Sequence, residues 1–329
     1  MGPGGLEIEE LEALRVPLTG FCYRLLGSAA DSDDAVQETL IRAAARRDQY
    51  DPSRGRPSTW VHAIATNVCL DMLRSARRRA LVVDVSQAAG RGDDLGPPLP
   101  PDAWLDPMPD ARLIAAGDPG DVVQQRESVR LAFVAALQWL PPRQRAVLVL
   151  RDVLAFTARE TADILDATVP SVNSALQRAR ALLSARRPDP FAIAEPDDVR
   201  QRDLLRRYVA AFEAHDVEGL KAILRADAVA SMPPFAWRLD GGQPIAEAVG
   251  ASEFCAGARL IGCRMNGGWG FGQYRPGDDA VLRPFALVAI EIHRDRIARI
   301  VTFLGSGHRF GEFGLPGRLT APEPAWSPQ

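Results

Sequence analysis

The chain has 329 residues, a formal net charge of −3 and 47% hydrophobic residues, enough apolar material for cores in two or three domains. No apolar run approaches a membrane span, no charged-apolar-small leader opens the chain, and the four cysteines (Cys22, Cys69, Cys255, Cys263) form no CxxC pair. A membrane protein, a disulfide scaffold and a zinc ribbon are therefore not expected, and reduced thiols point to the cytoplasm.

The small net charge hides a pattern. Residues 42–79 hold nine arginines against three acids, and residues 126–187 hold ten against five. Between them, residues 80–125 hold two arginines against eight aspartates. Two basic blocks flanking an acidic one fit a nucleic-acid partner better than the total charge suggests.

Residues 6–79 read as helix throughout. LEALRVPLTGFCYRLLG is amphipathic and stops at Gly27, a C-terminal cap. DSDDAVQETLIRAAARR opens with Asp31 or Ser32 as cap and with acids in its first turn. DPSRGRPST is a loop. In TWVHAIATNVCLDMLRSARRR, an apolar stripe (Trp60, Val61, Ile64, Ala65, Val68, Cys69, Met72, Leu73) opposes His62, Thr66, Asn67, Asp71 and Arg74. The helix ends in Arg77, Arg78 and Arg79. Those cations suit the negative end of a helix dipole, and equally a helix lying along a polyanion.

Prolines and glycines make residues 86–121 an extended linker. ESVRLAFVAALQWL then reads as one amphipathic helix, stopped by Pro141 and Pro142, which open PRQRAVLVLRDVL. Thr157 and Glu160 form a capping box before the short helix 158–165, and Asp166-Ala167-Thr168 makes a turn. In the next helix Val169, Val172, Leu176, Ala179 and Leu183 face inward. Ser171, Asn173, Ser174, Gln177, Arg178 and Arg180 face outward. A capped short helix, a tight turn and a second helix with a polar, basic outer face make a helix-turn-helix. Asn and Gln can bond adenine bidentately, and Arg guanine or phosphate.

In this order, LTGFCYRLLGSAADSDDAVQETLIRA, STWVHAIATNVCLDMLR and LPPRQRAVLVLRDVLAFTARETADILDATVPSVNSALQRAR resemble domains two and four of an extracytoplasmic-function (ECF) RNA polymerase sigma factor. The resemblance implies two partners, core RNA polymerase and promoter DNA, and melting of the minus-ten element by the helix of 59–79. Loop 52–58 would help capture an unstacked base. It implies polymerase docking by Asp33, Asp34, Gln37 and Glu38. His62, Thr66, Asn67 and Arg74 would lie near bases, with Arg77, Arg78 and Arg79 on phosphates. Trp60 is assigned to the core rather than to base stacking. Many ECF factors carry Lys and Arg where this chain has Asn173 and Ala175 in the minus-thirty-five reader, which leaves the promoter sequence open. The acidic linker would mimic nucleic acid along the RNA path of polymerase.

The chain continues past residue 187. DVRQRDLLRRYVAAFEAHDVEGLKAIL reads as two helices and IAEAVGASEFCAG as a third. AVASMPP and segments 259–271, 280–293 and 296–306 read as strands of an antiparallel sheet. The order resembles the SnoaL-like cone fold found fused to a subset of ECF factors, and LGPPLPPDAWLDPMPD and SMPPFAW resemble that subset too. The expected fold class is thus all-α domains two (6–79) and four (126–187), joined by linker 80–125, then an α+β SnoaL-like domain (197–310) and a tail (311–329). Met232, Phe235, Trp237, Trp269, Phe271, Tyr274 and Phe303 are candidates for lining a ligand pocket, or for simple core. His215, His293 and His308 show no convergent spacing, so neither catalysis nor a metal or cofactor is expected. A small-molecule ligand or an intramolecular contact would make this domain a regulator. The tail either packs across the sigma domains or is disordered. The rival reading is a ligand-sensing helix-turn-helix regulator with no sigma role.

Overall fold

A computed structural model describes residues 6–53, 55–75, 95–100, 103–184, 199–277, 279 and 281–319. It forms two compact units: Met1–Arg79 with Asp110–Pro188, and Ala80–Pro109 with Asp189–Gln329. The expected 80–125 linker is thereby divided at residue 109 between the units.

The first unit is helical. The expected single N-terminal helix is two, α1 (Ile8–Ala13) and α2 (Arg15–Leu26). Pro17 lies in the first turn of α2, where a missing N–H breaks no helical bond, so the helix restarts just before it. Gly27 ends α2 with φ 70° and donates to Tyr23 O at 2.8 Å. The cap of α3 (Ala29–Ala45) is Ser28 rather than Asp31 or Ser32: its side chain accepts from Asp31 N at 3.2 Å. α4 (Pro57–Ser75) follows the loop.

After the connector come α5 (Asp110–Leu113), α6 (Pro119–Ser128), α7 (Leu131–Gln138) and α8 (Pro142–Leu148). The helix expected over ESVRLAFVAALQWL is thus broken at Val129–Arg130. The break leaves the Ser128 hydroxyl to receive Arg24 of α2, Nε at 3.1 Å and a terminal nitrogen at 2.7 Å. A π turn, Val149–Val153, extends α8. α9 (Ala158–Ile164) carries the Thr157/Glu160 capping box, and Asp166 turns the chain at φ 47° into α10 (Val169–Ser184). One hydrophobic core runs through the unit, from Leu18, Phe21, Val61 and Val68 to Leu148, Phe156, Val172 and Leu176.

In the second unit, α11 (Val199–Glu213), α12 (Val217–Ile223) and α13 (Gly242–Ala251) accompany six strands: β1 (Leu224–Ser231), β2 (Arg238–Asp240), β3 (Arg259–Met265), β4 (Gly268–Pro276), β5 (Leu282–His293) and β6 (Arg296–Leu304). The sheet order is β2-β1-β6-β5-β4-β3. It is mixed rather than antiparallel, because β1 pairs parallel with β6. The strand expected over 259–271 is a hairpin. Asn266 (φ 50°) and Gly267 (φ 71°) form its two-residue turn, the backbone for which Asn-Gly is suited.

Trp269 and Phe271 point to the helices and share a core with Tyr208 and Phe212 of α11. Tyr274 instead packs its ring edge on Phe310 at 5.0 Å and donates its hydroxyl to Pro316 O at 2.7 Å. Met232, Phe235 and Trp237 are half-buried around the loop after β1, and Phe303 is buried outside the Trp269 core. Trp237 packs against the core of Trp269 and Phe271, whereas Tyr274 packs on Phe310, so three of the seven candidates share one core. The tail as far as Leu319 packs on this unit's own sheet, burying Phe310, Phe313, Leu315 and Leu319. For its described part that replaces the expectation of disorder. Gly272 is required there, since a Cβ would meet Leu315 at 2.6 Å and Phe310 at 2.8 Å.

Candidate nucleic-acid interface

The loop before α4 is ordered by local polar bonds. Tyr50 Oη donates to Gly55 O at 2.9 Å, and the Asp51 carboxylate accepts from Ser53 N and Oγ at 2.9 and 2.7 Å. Trp60 is half-buried against the core, with its ring centroid 5.8 Å from that of Tyr50.

α4 buries two stripes, not one. Val61, Ile64, Ala65, Val68 and Cys69 form the expected one. His62 and Thr66 form the second, which corrects their placement near bases. Thr66 Oγ1 donates to His62 O at 2.6 Å. The His62 ring lies between Phe21 and Phe156, 5.2 Å from each. Its Nδ1 is 2.7 Å from Ser58 O, and its Nε2 has no hydrogen-bond partner among the described residues. Burial drives the imidazole pKa down to about 4 against the opposing pull of the Ser58 carbonyl, so the ring is neutral at pH 7. The residue that closes this stripe is Phe156, just before α9.

Asn67 and Arg74 remain exposed on α4, and Arg74 pairs with Asp71 at 2.7 Å. Arg77, Arg78 and Arg79 lie outside the described residues. Arg56 of the loop reaches Glu160 at 2.8 Å, and Thr59 Oγ1 donates to the same oxygen at 3.4 Å. Glu160 also accepts from Thr157 N and Oγ1, both at 2.8 Å. Burial raises its pKa, but the bonds from Thr157 and Arg56 outweigh that and hold the carboxylate below its ordinary range. The helix-turn-helix cap thus occupies an arginine of the loop preceding α4. No local pattern links Arg56 to a residue 104 positions away.

On α10, Val172, Leu176, Ala179 and Leu183 are buried, and Ser171, Asn173, Gln177 and Arg178 are exposed, with Ser174 half-buried. Arg178 donates to Ser174 Oγ at 2.7 Å, a weak surface tether. Arg180 is differently placed: it forks onto both oxygens of Asp152 at 2.8 and 2.6 Å. Those bonds raise its pKa. It braces α10 on the π turn rather than projecting freely.

On α3, Asp34 and Gln37 are exposed, Glu38 pairs with Arg42 at 2.6 Å, and Asp33 pairs with Arg112 of α5. Asp34, Gln37 and Glu38 line a groove with Val68, Asp71 and Met72 of α4. Ile41, one helical turn beyond Gln37 on α3, is 53% exposed, and that i+4 spacing is the signal the residues themselves offer for it.

Two buried guanidiniums join α2 to the later helices. Arg24 is held by Ser128, and Arg145 of α8 donates to Leu25 O, to Gln138 Oε1 and O, and to Leu140 O. Neither pairs with a carboxylate among the described residues. Burial lowers Arg24 to about 9 and Arg145 to about 10.

Comparison with known proteins matches the two helical segments to two families, Sigma-70 region 2 over residues 11–79 and Sigma-70, region 4 over residues 130–183. The ECF RNA polymerase sigma factor SigG of Mycobacterium tuberculosis is 41% identical over 314 residues, 94% of this chain and 83% of that protein. The ECF RNA polymerase sigma factor SigJ of the same species is 31% identical over 222 residues, 68% of this chain and 63% of that protein. The crystal structure of SigJ superposes with TM-score 0.61 at 20% identity, covering 94% of this chain and 100% of that one.

Proposed function

This chain belongs to the ECF RNA polymerase sigma factors, and from that premise we propose which of its surfaces serve core polymerase, which serve the promoter, and what the C-terminal unit adds. A sigma factor directs polymerase to promoters and starts transcription there, and both of its sigma regions are present. The rival regulator without a sigma role is set aside by likeness along nearly the whole chain.

The α3–α4 groove with Asp34, Gln37 and Glu38, together with Ile41, is the polymerase-docking surface. Asp33 joins it once Arg112 is displaced. The loop before α4, with Asn67, Arg74 and the arginines beyond residue 75, meets the minus-ten element. Ser171, Asn173, Gln177 and Arg178 read the minus-thirty-five element, with Ser174 at the edge of that surface. The observation that carries this reading is the exposed polar face of α10 opposite a fully buried apolar stripe.

The C-terminal unit acts as a regulator, not as a catalyst. Its aromatic residues are used in packing, and Asp216 caps α12 by accepting from Gly219 N at 2.9 Å rather than activating its neighbour His215. Among the described residues no helix is long and apolar enough to cross a membrane, and the site of action is the cytoplasm, with polymerase.

Run-off transcription of genomic fragments by core polymerase, with and without the protein, tests the reading. New discrete start sites are expected. Unchanged transcripts from the full chain and from residues 1–190 would refute it.

A further inference from the structure

On the strands of the C-terminal unit, several arginines are matched by an acid. Arg225 pairs with Asp227, Arg238 with Asp240 and Arg283 with Asp279, each at 2.7 Å, and Arg299 pairs with Glu291 at 3.1 Å. Arg275, near the end of β4, is not. Its guanidinium has no hydrogen bond or ion pair among the described residues, and its Nε is buried without a partner. Instead its central carbon lies over two rings, 4.9 Å from the centroid of Phe254 and 4.8 Å from that of Phe285.

Irregular backbone brings both rings there. Phe285 is the extra residue of a bulge: Gln273 pairs with Ala286, and the next residue of β4, Tyr274, pairs with Pro284. A bulge disrupts the ladder locally and re-aims a side chain. Phe254 comes from the one-turn helix Glu253–Cys255 that follows α13, and it is 58% exposed. Cation–π attraction holds the guanidinium against these rings and leaves its terminal nitrogens as open donors.

The surroundings narrow what those donors can take. Across the ladder from Arg275, Arg283 is occupied by both oxygens of Asp279, at 2.7 Å each. Glu253 adjoins Phe254 in the chain. The site therefore offers one unmatched cation, whereas a nucleic-acid backbone is held by several. One guanidinium and one exposed ring are also far less than the roughly 800 Å² per partner of a stable protein interface.

We propose that Arg275, with Phe254 and Phe285, is a binding site for a small monocarboxylic acid with an aromatic or apolar body. The planar fork gives parallel bonds to the two oxygens of one carboxylate, and the open surface of Phe254 takes the body of the acid. The site goes beyond the regulatory reading above: that reading is judged by transcription, and the site by binding alone.

The test uses the full chain and benzoate as probe. In NMR titration, the Nε–H of Arg275 and the amides of Phe254 and Phe285 are expected to shift together, half-way at about 1 mM. Arg275→Lys keeps the charge but loses the fork, and should weaken binding at least about tenfold, the size of one charge-assisted hydrogen bond. Phe254→Ala, at an exposed ring that the core does not need, should weaken it about two- to tenfold. Inorganic phosphate should not saturate in the same range. No saturation by benzoate at about 10 mM, unchanged binding in either variant, or equal binding of phosphate would overturn the site. A capped glutamyl-phenylalanine dipeptide that binds more tightly than benzoate would overturn the free acid as its ligand.

Discussion

α4 and α10 carry the same residue pattern in different surroundings. Both show an apolar stripe at helical spacing opposite small polar and arginine residues. α10 has its packing partners on one side, so its opposite face is exposed from Ser171 to Arg178. α4 has α2 and α3 on one side and the start of α9 on another, so His62 and Thr66 are enclosed although polar. Periodicity reports how many stripes are apolar. It does not report how many are covered, because a histidine or a threonine can be buried once its hydrogen bonds return to its own helix.

The sharpest way to break the contrast is to uncover the second stripe. Phe156→Ala removes the ring that closes His62 and should lower stability by about 3–5 kcal/mol, read by urea denaturation at pH 7. The same assay on Arg178→Ala, exposed on α10, should show a change within about 0.5 kcal/mol. Equal losses in the two variants would erase the distinction between the helices.

Protonation attacks the same stripe more gently. The folded His62 pKa is about 4, below the ordinary value of about 6.5. An unfolded chain therefore takes up a proton below pH 6.5 that the folded chain refuses. The stability due to a neutral His62 is complete above pH 6.5 and is lost as the pH falls toward 4. Between pH 7 and pH 5 the loss should be about 2 kcal/mol. His62→Gln should remove that part of the pH dependence, and an unaltered slope in the variant would mean that the ring is solvated.

α10 has its own internal contrast, between Arg178 and Arg180. Arg178→Ala should weaken promoter binding by about 1–3 kcal/mol and, if the contact is to phosphate, lower the salt slope by about one. Arg180→Ala should leave the salt slope nearly unchanged and instead loosen α10, since the guanidinium is committed to Asp152. Equal slope changes would put Arg180 in the interface after all.

Much of the molecule was legible in the residues themselves. The capping box at Thr157 and Glu160, the turn at Asp166 and the inward positions of α10 follow from bonds and spacings within about twenty residues, and local sequence determines those. The helix-then-sheet order of the C-terminal unit is local in the same sense. What tertiary structure alone decided depends on groups far apart in the chain. Ser128 takes Arg24 at the end of its helix, Phe156 closes over His62, Glu160 takes Arg56, and Asn266 takes the backbone of Met108. Each partner looks ordinary in its own segment: a polar helix residue, a loop aromatic, a capping acid, a turn asparagine. Their pairing is set by which surfaces the fold presses together and strips of water, and there an unmatched polar group costs more than it does in solvent.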